Sequence, residues 1–156
     1  MRMRRTSSKL DFKANICSRA GRRVSIPPRL LRAYRLTRYR AGDCEIRIGR
    51  LVPDALFATI RSRTGTLLTA WNPLSRRMPD GWNARMQQRL QLRLRRYPVV
   101  EGEGSLHGWR EAMLLVGGPP ARAISLARRF RQSAVLVLRQ GGKVRLILVQ
   151  ASCTGL

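Results

Sequence analysis

The chain has 156 residues, enough for one domain with a hydrophobic core and too few for two domains of ordinary size. Its 32 basic and 8 acidic residues give a net charge of +24, which would attract polyanions such as nucleic acid. No apolar run is long enough to span a membrane, and three cysteines without a C-x-x-C pair indicate neither a disulfide framework nor a zinc site. Composition therefore predicts a cytoplasmic protein with no membrane partner, metal or cofactor.

Two explanations of the positive charge stay open. All basic residues except Lys9, Lys13 and Lys143 are arginine. Such a skew is typical of codon bias in a GC-rich genome, whereas selection for phosphate contacts usually leaves a mixture of arginine and lysine. The charge therefore indicates either a surface that binds nucleic acid or an arginine-rich surface without a function.

The chain is expected to divide into three segments. Residues 1–29 are basic and poor in periodic apolar residues, so they predict a disordered extension. Residues 30–150 contain the periodic apolar pattern of one folded domain. Residues 151–156 are predicted to form a frayed tail.

Strands are predicted at five places in the domain. Residues 44–49 alternate apolar and charged side chains, and residues 67–72 form a compact apolar run that ends before Pro73. Residues 109–116 read as a further strand, and Gly102 and Gly104 before it are interpreted as a loop. Residues 134–139 and 144–149 flank a Gly-Gly pair, the pattern of a β-hairpin.

Three helices are predicted between these strands, near residues 54–62, 83–96 and 120–131. Asn83 is placed to cap the second helix, which follows the Pro79-Asp80-Gly81 turn. Together the elements predict an α+β fold, with a single mixed β-sheet of about five strands, about three packed helices and a C-terminal hairpin.

Several short motifs resemble those of a bacterial family known as domain of unknown function 3293. They are Tyr34-x-x-Thr37-x-Tyr39, Thr69-Ala70-Trp71-Asn72-Pro73 with Ser75 and Asn83, Trp109-x-Glu111 and Gln132-x-Ala134. The resemblance covers residues 34–149 and implies a bacterial cytosolic protein with the family's fold, but no activity. The chain departs from it at Met113, where serine is expected, and at Arg131 and Ser133, where glycine and asparagine are usual.

A candidate polar site follows from local geometry. Pro73 is expected to hold Asn72 in an extended conformation at the mouth of a strand, and Trp109 and Glu111 lie two apart on one strand face. If the two strands are neighbours, Gln132 joins them from the end of the last helix. The candidate residues are Trp71, Asn72, Asn83, Trp109, Glu111 and Gln132, although Asn83 is expected to be a helix cap.

The polar site has two interpretations. Glu111 could act as a general base or bind a cation while the amides orient a polar ligand. Alternatively, the same groups bond to one another and to backbone, and only hold the loop from Trp71 to Asn83 in place. The single histidine, His107, argues against a hydrolytic triad or a histidine-rich metal site.

A second candidate site is a stripe of arginines on the helix at 83–96. The side chains of the stripe, with two from the preceding loop, would follow a phosphate backbone. The candidates are Arg76, Arg77, Arg85, Arg89, Arg93 and Arg96. The sequence thus favours a non-catalytic protein that binds nucleic acid (RNA) through arginine-phosphate contacts. The alternative is an enzymatic or small-ligand pocket at Asn72, Glu111 and Gln132.

Overall fold

A computed structural model describes residues 26–149. The helices are α1 (Pro28–Leu36), α2 (Asp54–Thr59), α3 (Asp80–Leu94) and α4 (Pro120–Arg129), with a short 3-10 turn at Pro73–Ser75. The strands are β1 (Arg38–Ala41), β2 (Cys44–Ile46), β3 (Thr64–Leu68), β4 (Val99–Leu106), β5 (Trp109–Gly117), β6 (Ala134–Arg139) and β7 (Arg145–Leu148). The predicted tail and most of the predicted extension lie outside the described residues, while Pro28 and Arg29 belong to α1.

The seven strands form one curled sheet in the order β2-β1-β4-β5-β3-β6-β7. The α+β class is confirmed, as is the antiparallel pairing of β6 with β7. The expected mixed sheet of five strands is wrong, because every pairing between the named strands is antiparallel. The expected count of three helices is also too low, since α1 was not recognised as a helix. Within residues 26–149, no helix is long and apolar enough to cross a membrane.

The sheet has a separate hydrophobic core on each face because side chains alternate along its strands. The inner core contains Leu67, Leu115 and Leu136 and is completed by residues of α2. The outer core contains Leu68 and Leu114 of the same strands and is covered by α3 and α4. Neighbouring residues of one strand therefore serve opposite sides of the sheet.

The expected loop at Gly102 and Gly104 is instead the middle of β4. A Cβ atom at Gly102 would collide with the carbonyl group of Arg40 on β1, so glycine permits close strand contact here. His107 and Gly108 both have positive φ, at 48° and 80°, and form the tight turn between β4 and β5. Glycine at position 102 therefore permits strand packing within β4, whereas Gly108 belongs to the turn that follows the strand.

Two predicted element boundaries are wrong around the loop that follows β3. The strand ends at Leu68 and does not reach Asn72. Helix α3 begins at Asp80, with Pro79 at its N-cap and no side-chain cap bond. Proline at that position fixes a backbone angle suited to entry into a helix. Asn83 is therefore not a cap but a buried residue inside α3.

Candidate functional site

A cavity of about 200 Å³ lies between α1 and the inner face of the sheet. We call it the inner cavity. Its walls are largely apolar and include Leu30 and Ala33 of α1, Trp109 and Met113 of β5, and Leu136 of β6. Polar groups are gathered in one part of the lining: Tyr34, Thr37, Thr69, Asn72, Ser75, Glu111 and Gln132. The chain therefore encloses a small apolar space that has a polar wall.

Glu111 reaches this cavity because of strand alternation. Trp109, Glu111 and Met113 share one face of β5, and all three line the cavity. The residue opposite Glu111 on β4 is Gly104, which also lines the cavity. A Cβ atom at Gly104 would lie 3.3–3.5 Å from the side chains of Met113, Thr37 and Tyr39, so the glycine lets these lining residues pack closely.

The carboxyl group of Glu111 lies in an environment that disfavours its charge. Burial raises its pKa from 4.5 to about 7, and the hydrogen bond from Asn72 opposes this rise. That bond runs from Asn72 Nδ2 to Glu111 Oε1 over 3.4 Å. No arginine or lysine lines the cavity, and Glu111 forms no ion pair within residues 26–149. Near neutral pH the group can therefore gain or lose a proton, as a general acid or base must.

Asn72 and Asn83 hold each other and the loop between them. Asn72 N donates to Asn83 Oδ1 and Asn83 Nδ2 donates to Asn72 Oδ1, each over 3.0 Å. Asn72 Oδ1 also accepts a bond from Met78 N over 2.9 Å, and Asn83 Nδ2 donates to Met78 O over 3.2 Å. These buried contacts fix the loop, and they leave Asn72 Nδ2 for Glu111.

The backbone of Asn72 is left-handed, with φ 46° and ψ 65°, and the expected extended conformation is wrong. Proline disfavours helical angles in the preceding residue but does not alone select a strand conformation. Asparagine tolerates the left-handed region better than most residues. The hydrogen bonds of Asn72 with Asn83 and Met78 stabilise this backbone conformation. Leu74, Ser75 and Arg131 nearby also have positive φ.

Gln132 is buried and lines the cavity, but its side-chain nitrogen donates hydrogen bonds to backbone carbonyl groups. Gln132 Nε2 donates to Trp71 O over 2.9 Å and to Phe130 O over 3.2 Å. Trp109, at 44% exposure, lines the same cavity, whereas Trp71 does not. The structure thus brings together Asn72, Trp109, Glu111 and Gln132 at the cavity and leaves Asn83 and Trp71 behind its polar wall.

The polar wall includes residues that were not among the candidates. The Tyr34 side chain hydrogen-bonds with the side chains of Ser75 and Ser133, and burial raises the pKa of its hydroxyl. Gln87 of α3 accepts a bond at Oε1 from Ala70 N over 3.0 Å and so supports the start of the loop. Tyr34 and Ser75 stand in the motifs that carry the family resemblance, which was the available signal for them.

The predicted arginine stripe is exposed, and its members occupy different places. Arg89 and Arg93 line a groove of about 750 Å³ beside α3, on the outer side of the sheet, and Arg76 joins them from the loop. Arg96 lines an adjoining hollow with Arg93. Arg77 and Arg85 are exposed but line neither of these depressions.

Two arginines that were not among the candidates, Arg129 and Arg131, complete this groove from the end of α4. We call it the arginine groove. Trp82, Met86 and Phe130 lie in its lining beside the basic groups. Sequence periodicity could not reveal this set, because α3 and the end of α4 are far apart in the chain.

Among residues 26–149 there is no group of three or more histidine, cysteine, aspartate or glutamate side chains that could hold a metal ion. No curated protein and no solved structure matches the chain. Residues 68–135, which include Asn72 and Glu111, match the model of the family described as a protein of unknown function (DUF3293), so the resemblance to this family is confirmed over that segment.

Proposed function

We propose that the inner cavity binds a small molecule that combines an apolar body with an ammonium group or another strong N–H donor, which Glu111 receives. The observation that carries this proposal is the charge of the lining. Among residues 26–149, Glu111 is the single charged residue that lines the cavity, although the whole chain has 32 basic residues. Such a lining favours a cation or a neutral donor and disfavours carboxylates and phosphates.

The polar groups differ in whether their hydrogen-bond partners lie within the protein, and this difference supports the proposal. Asn72, Asn83 and Gln132 have bonding partners in the loop and in the backbone. Glu111 has one long bond to Asn72 and otherwise faces the cavity. A carboxyl group that has no counterion among residues 26–149 and lies in a largely apolar space gains most from a ligand that brings positive charge.

The size of the cavity limits the ligand. An apolar cavity of roughly 150 Å³ can hold benzene, and the inner cavity, at about 200 Å³, leaves room for one ring with a short substituent. Tyr34, Tyr39 and Trp109 supply aromatic surface to the lining. A ring that carries an amine fits both the volume and the charge.

Three probes of similar size test the proposal: benzylamine, benzyl alcohol and benzoate. We expect benzylamine to raise the melting temperature at pH 8, benzyl alcohol to do so less, and benzoate not at all. Native mass spectrometry of the purified protein, searched for a bound amine, gives a second readout. Equal binding of benzoate and benzylamine, or binding of no probe, would contradict the proposal.

Two variants distinguish the effect of the Glu111 charge on probe binding from the effect of the cavity volume. Glu111→Gln keeps the shape of the side chain and should abolish the preference for benzylamine over benzyl alcohol. Ala33→Leu adds apolar volume from α1 and should weaken the binding of both probes alike, because Ala33 lines the cavity and carries no charge. Arg139→Gln, an exposed change outside the cavity, is the control and should bind all three probes as the natural protein does.

A further inference from the structure

The arginine groove differs from the inner cavity in its charge. In the described part of the chain, residues 26–149, five guanidinium groups line it, those of Arg76, Arg89, Arg93, Arg129 and Arg131, and no carboxylate does. The same described residues place no basic group in the lining of the inner cavity. Basic groups are therefore concentrated on the outer side of the sheet at this depression.

These arginines also lack internal counterions. None of the five forms an ion pair within residues 26–149. The ion pairs in this part of the chain join Glu45 to Arg47 and Glu103 to Arg110, away from the groove. Like charges that share a concave surface raise the local potential and concentrate anions there. The groove is therefore built for an anionic partner with several charges.

Aromatic and apolar side chains line the groove together with the basic groups. Trp82, Met86 and Phe130 line the same groove. Leu92 and Arg93 also line the adjoining hollow, where Arg122 stacks over the ring of Tyr97 at 4.8 Å. The two depressions share Leu92 and Arg93, and guanidinium groups line both of them together with aromatic or apolar side chains. We call the two depressions together the track.

We propose that this track binds single-stranded nucleic acid, with arginines on the phosphates and Trp82 and Phe130 in contact with bases. A single strand offers unstacked bases to aromatic side chains, which a duplex does not. An anionic membrane presents a broad surface, whereas Trp82 and Phe130 lie within a groove. The proposal does not rest on the function of the inner cavity.

The first test measures fluorescence anisotropy of a labelled oligouridylate of about 12 nucleotides with the full chain, over a series of salt concentrations. We expect the triple variant Arg89→Gln, Arg93→Gln, Arg129→Gln to lose at least about tenfold in affinity. The slope of log K against log salt should become shallower by about 2, since each lost phosphate contact removes about 0.7 for a single strand.

A matched control removes the same charge elsewhere. Arg50, Arg139 and Lys143 are exposed near the turn between β6 and β7, where Leu51 bridges Lys143. Changing these three residues to glutamine should leave affinity within about twofold and the slope nearly unchanged. An equal loss in both triple variants would show attraction by net charge alone and would overturn the proposal.

A second test addresses the bases. Trp82→Leu should weaken binding by about fivefold or more without altering the salt slope, because stacking involves no counterion release. Trp82→Phe keeps an aromatic ring and should retain most of the affinity. Circular dichroism of both variants shows whether α3 is intact. If the folded Trp82→Leu protein binds as tightly as the natural protein, base contact at Trp82 is refuted.

Two competitors identify the class of partner. Unlabelled single strand should displace the probe at lower concentration than a duplex of the same length, and vesicles of phosphatidylglycerol should bind weakly and independently of the groove triple variant. Preference for the duplex would overturn the single-strand proposal. Vesicle binding that depends on the groove, with no affinity for the oligonucleotide, would reassign the track to membranes.

Discussion

Replacing Glu111 with glutamine should stabilise the protein above pH 7 and change little at pH 5. Burial raises the pKa of this carboxyl group from 4.5 to about 7. Between these values the native protein retains a proton that the unfolded chain has lost, so stability falls as pH rises through this range. The full cost is present above pH 7. Glutamine cannot ionise and so avoids it.

The size of the effect follows from the shift in pKa. A rise from 4.5 to about 7 corresponds to roughly 3 kcal/mol between the two protonation states. Because the side chain is partly accessible through the cavity, we expect a gain of about 1–3 kcal/mol for Glu111→Gln at pH 8.5. Glutamine can still accept the hydrogen bond from Asn72 Nδ2, so the neighbouring loop should keep its contacts.

Urea denaturation of the natural protein and the variant at pH 5 and pH 8.5 measures this gain. The quantity of interest is the change in the free energy of unfolding caused by the substitution at pH 8.5, minus the same change at pH 5. Glu101→Gln, an exposed change on β4, is the control and should give a difference near zero. A Glu111→Gln protein that is less stable at pH 8.5 would refute the reasoning, since it would mean that the charged carboxylate stabilises the fold.

Three further substitutions test the fold around the cavity by urea denaturation. Asn72→Ala should lower the free energy of unfolding by about 2–4 kcal/mol, because it removes hydrogen-bond partners of Asn83 and Met78 and places alanine in the left-handed region. A smaller loss than that of an exposed substitution would argue that these hydrogen bonds do not stabilise the loop. Arg131→Gly should raise the free energy of unfolding by about 0.5–1 kcal/mol, because Arg131 has φ 55° and glycine relieves the backbone strain. A lower free energy of unfolding would show that the arginine side chain stabilises the fold by more than its strained backbone destabilises it. Gly102→Ala should cost about 1–3 kcal/mol through its clash with β1, and an unchanged midpoint would mean that the strands can separate freely.

Local patterns predicted the elements whose signals are contained in a few neighbouring residues. The hairpin of β6 and β7 follows from a Gly-Gly pair between apolar runs, and β5 from its own apolar residues. Alternation along β5 also placed Trp109 and Glu111 on one face, which is how both come to line the cavity. In each case the deciding interaction lies within one element or one turn.

Features that depend on distant contacts could not be predicted in this way. Strand β4 contains two glycines that suggest a loop, and only its contact with β1 explains them. The antiparallel order of the sheet depends on which strands meet across the chain. Asn83 was read as a cap because the sequence does not reveal its bonds to Asn72, eleven residues earlier. The arginine groove likewise needs the end of α4 to approach α3.

Calorimetric titration of benzylamine at pH 7, in two buffers of different ionisation enthalpy, tests the function proposed for the inner cavity most directly. If Glu111 receives the ammonium group, binding should release about half a proton at pH 7, because the pKa of about 7 leaves the free carboxyl group roughly half protonated. The release should vanish at pH 9 and in Glu111→Gln. Binding without proton release at pH 7, or an equal release in Glu111→Gln, would contradict a role for this carboxyl group.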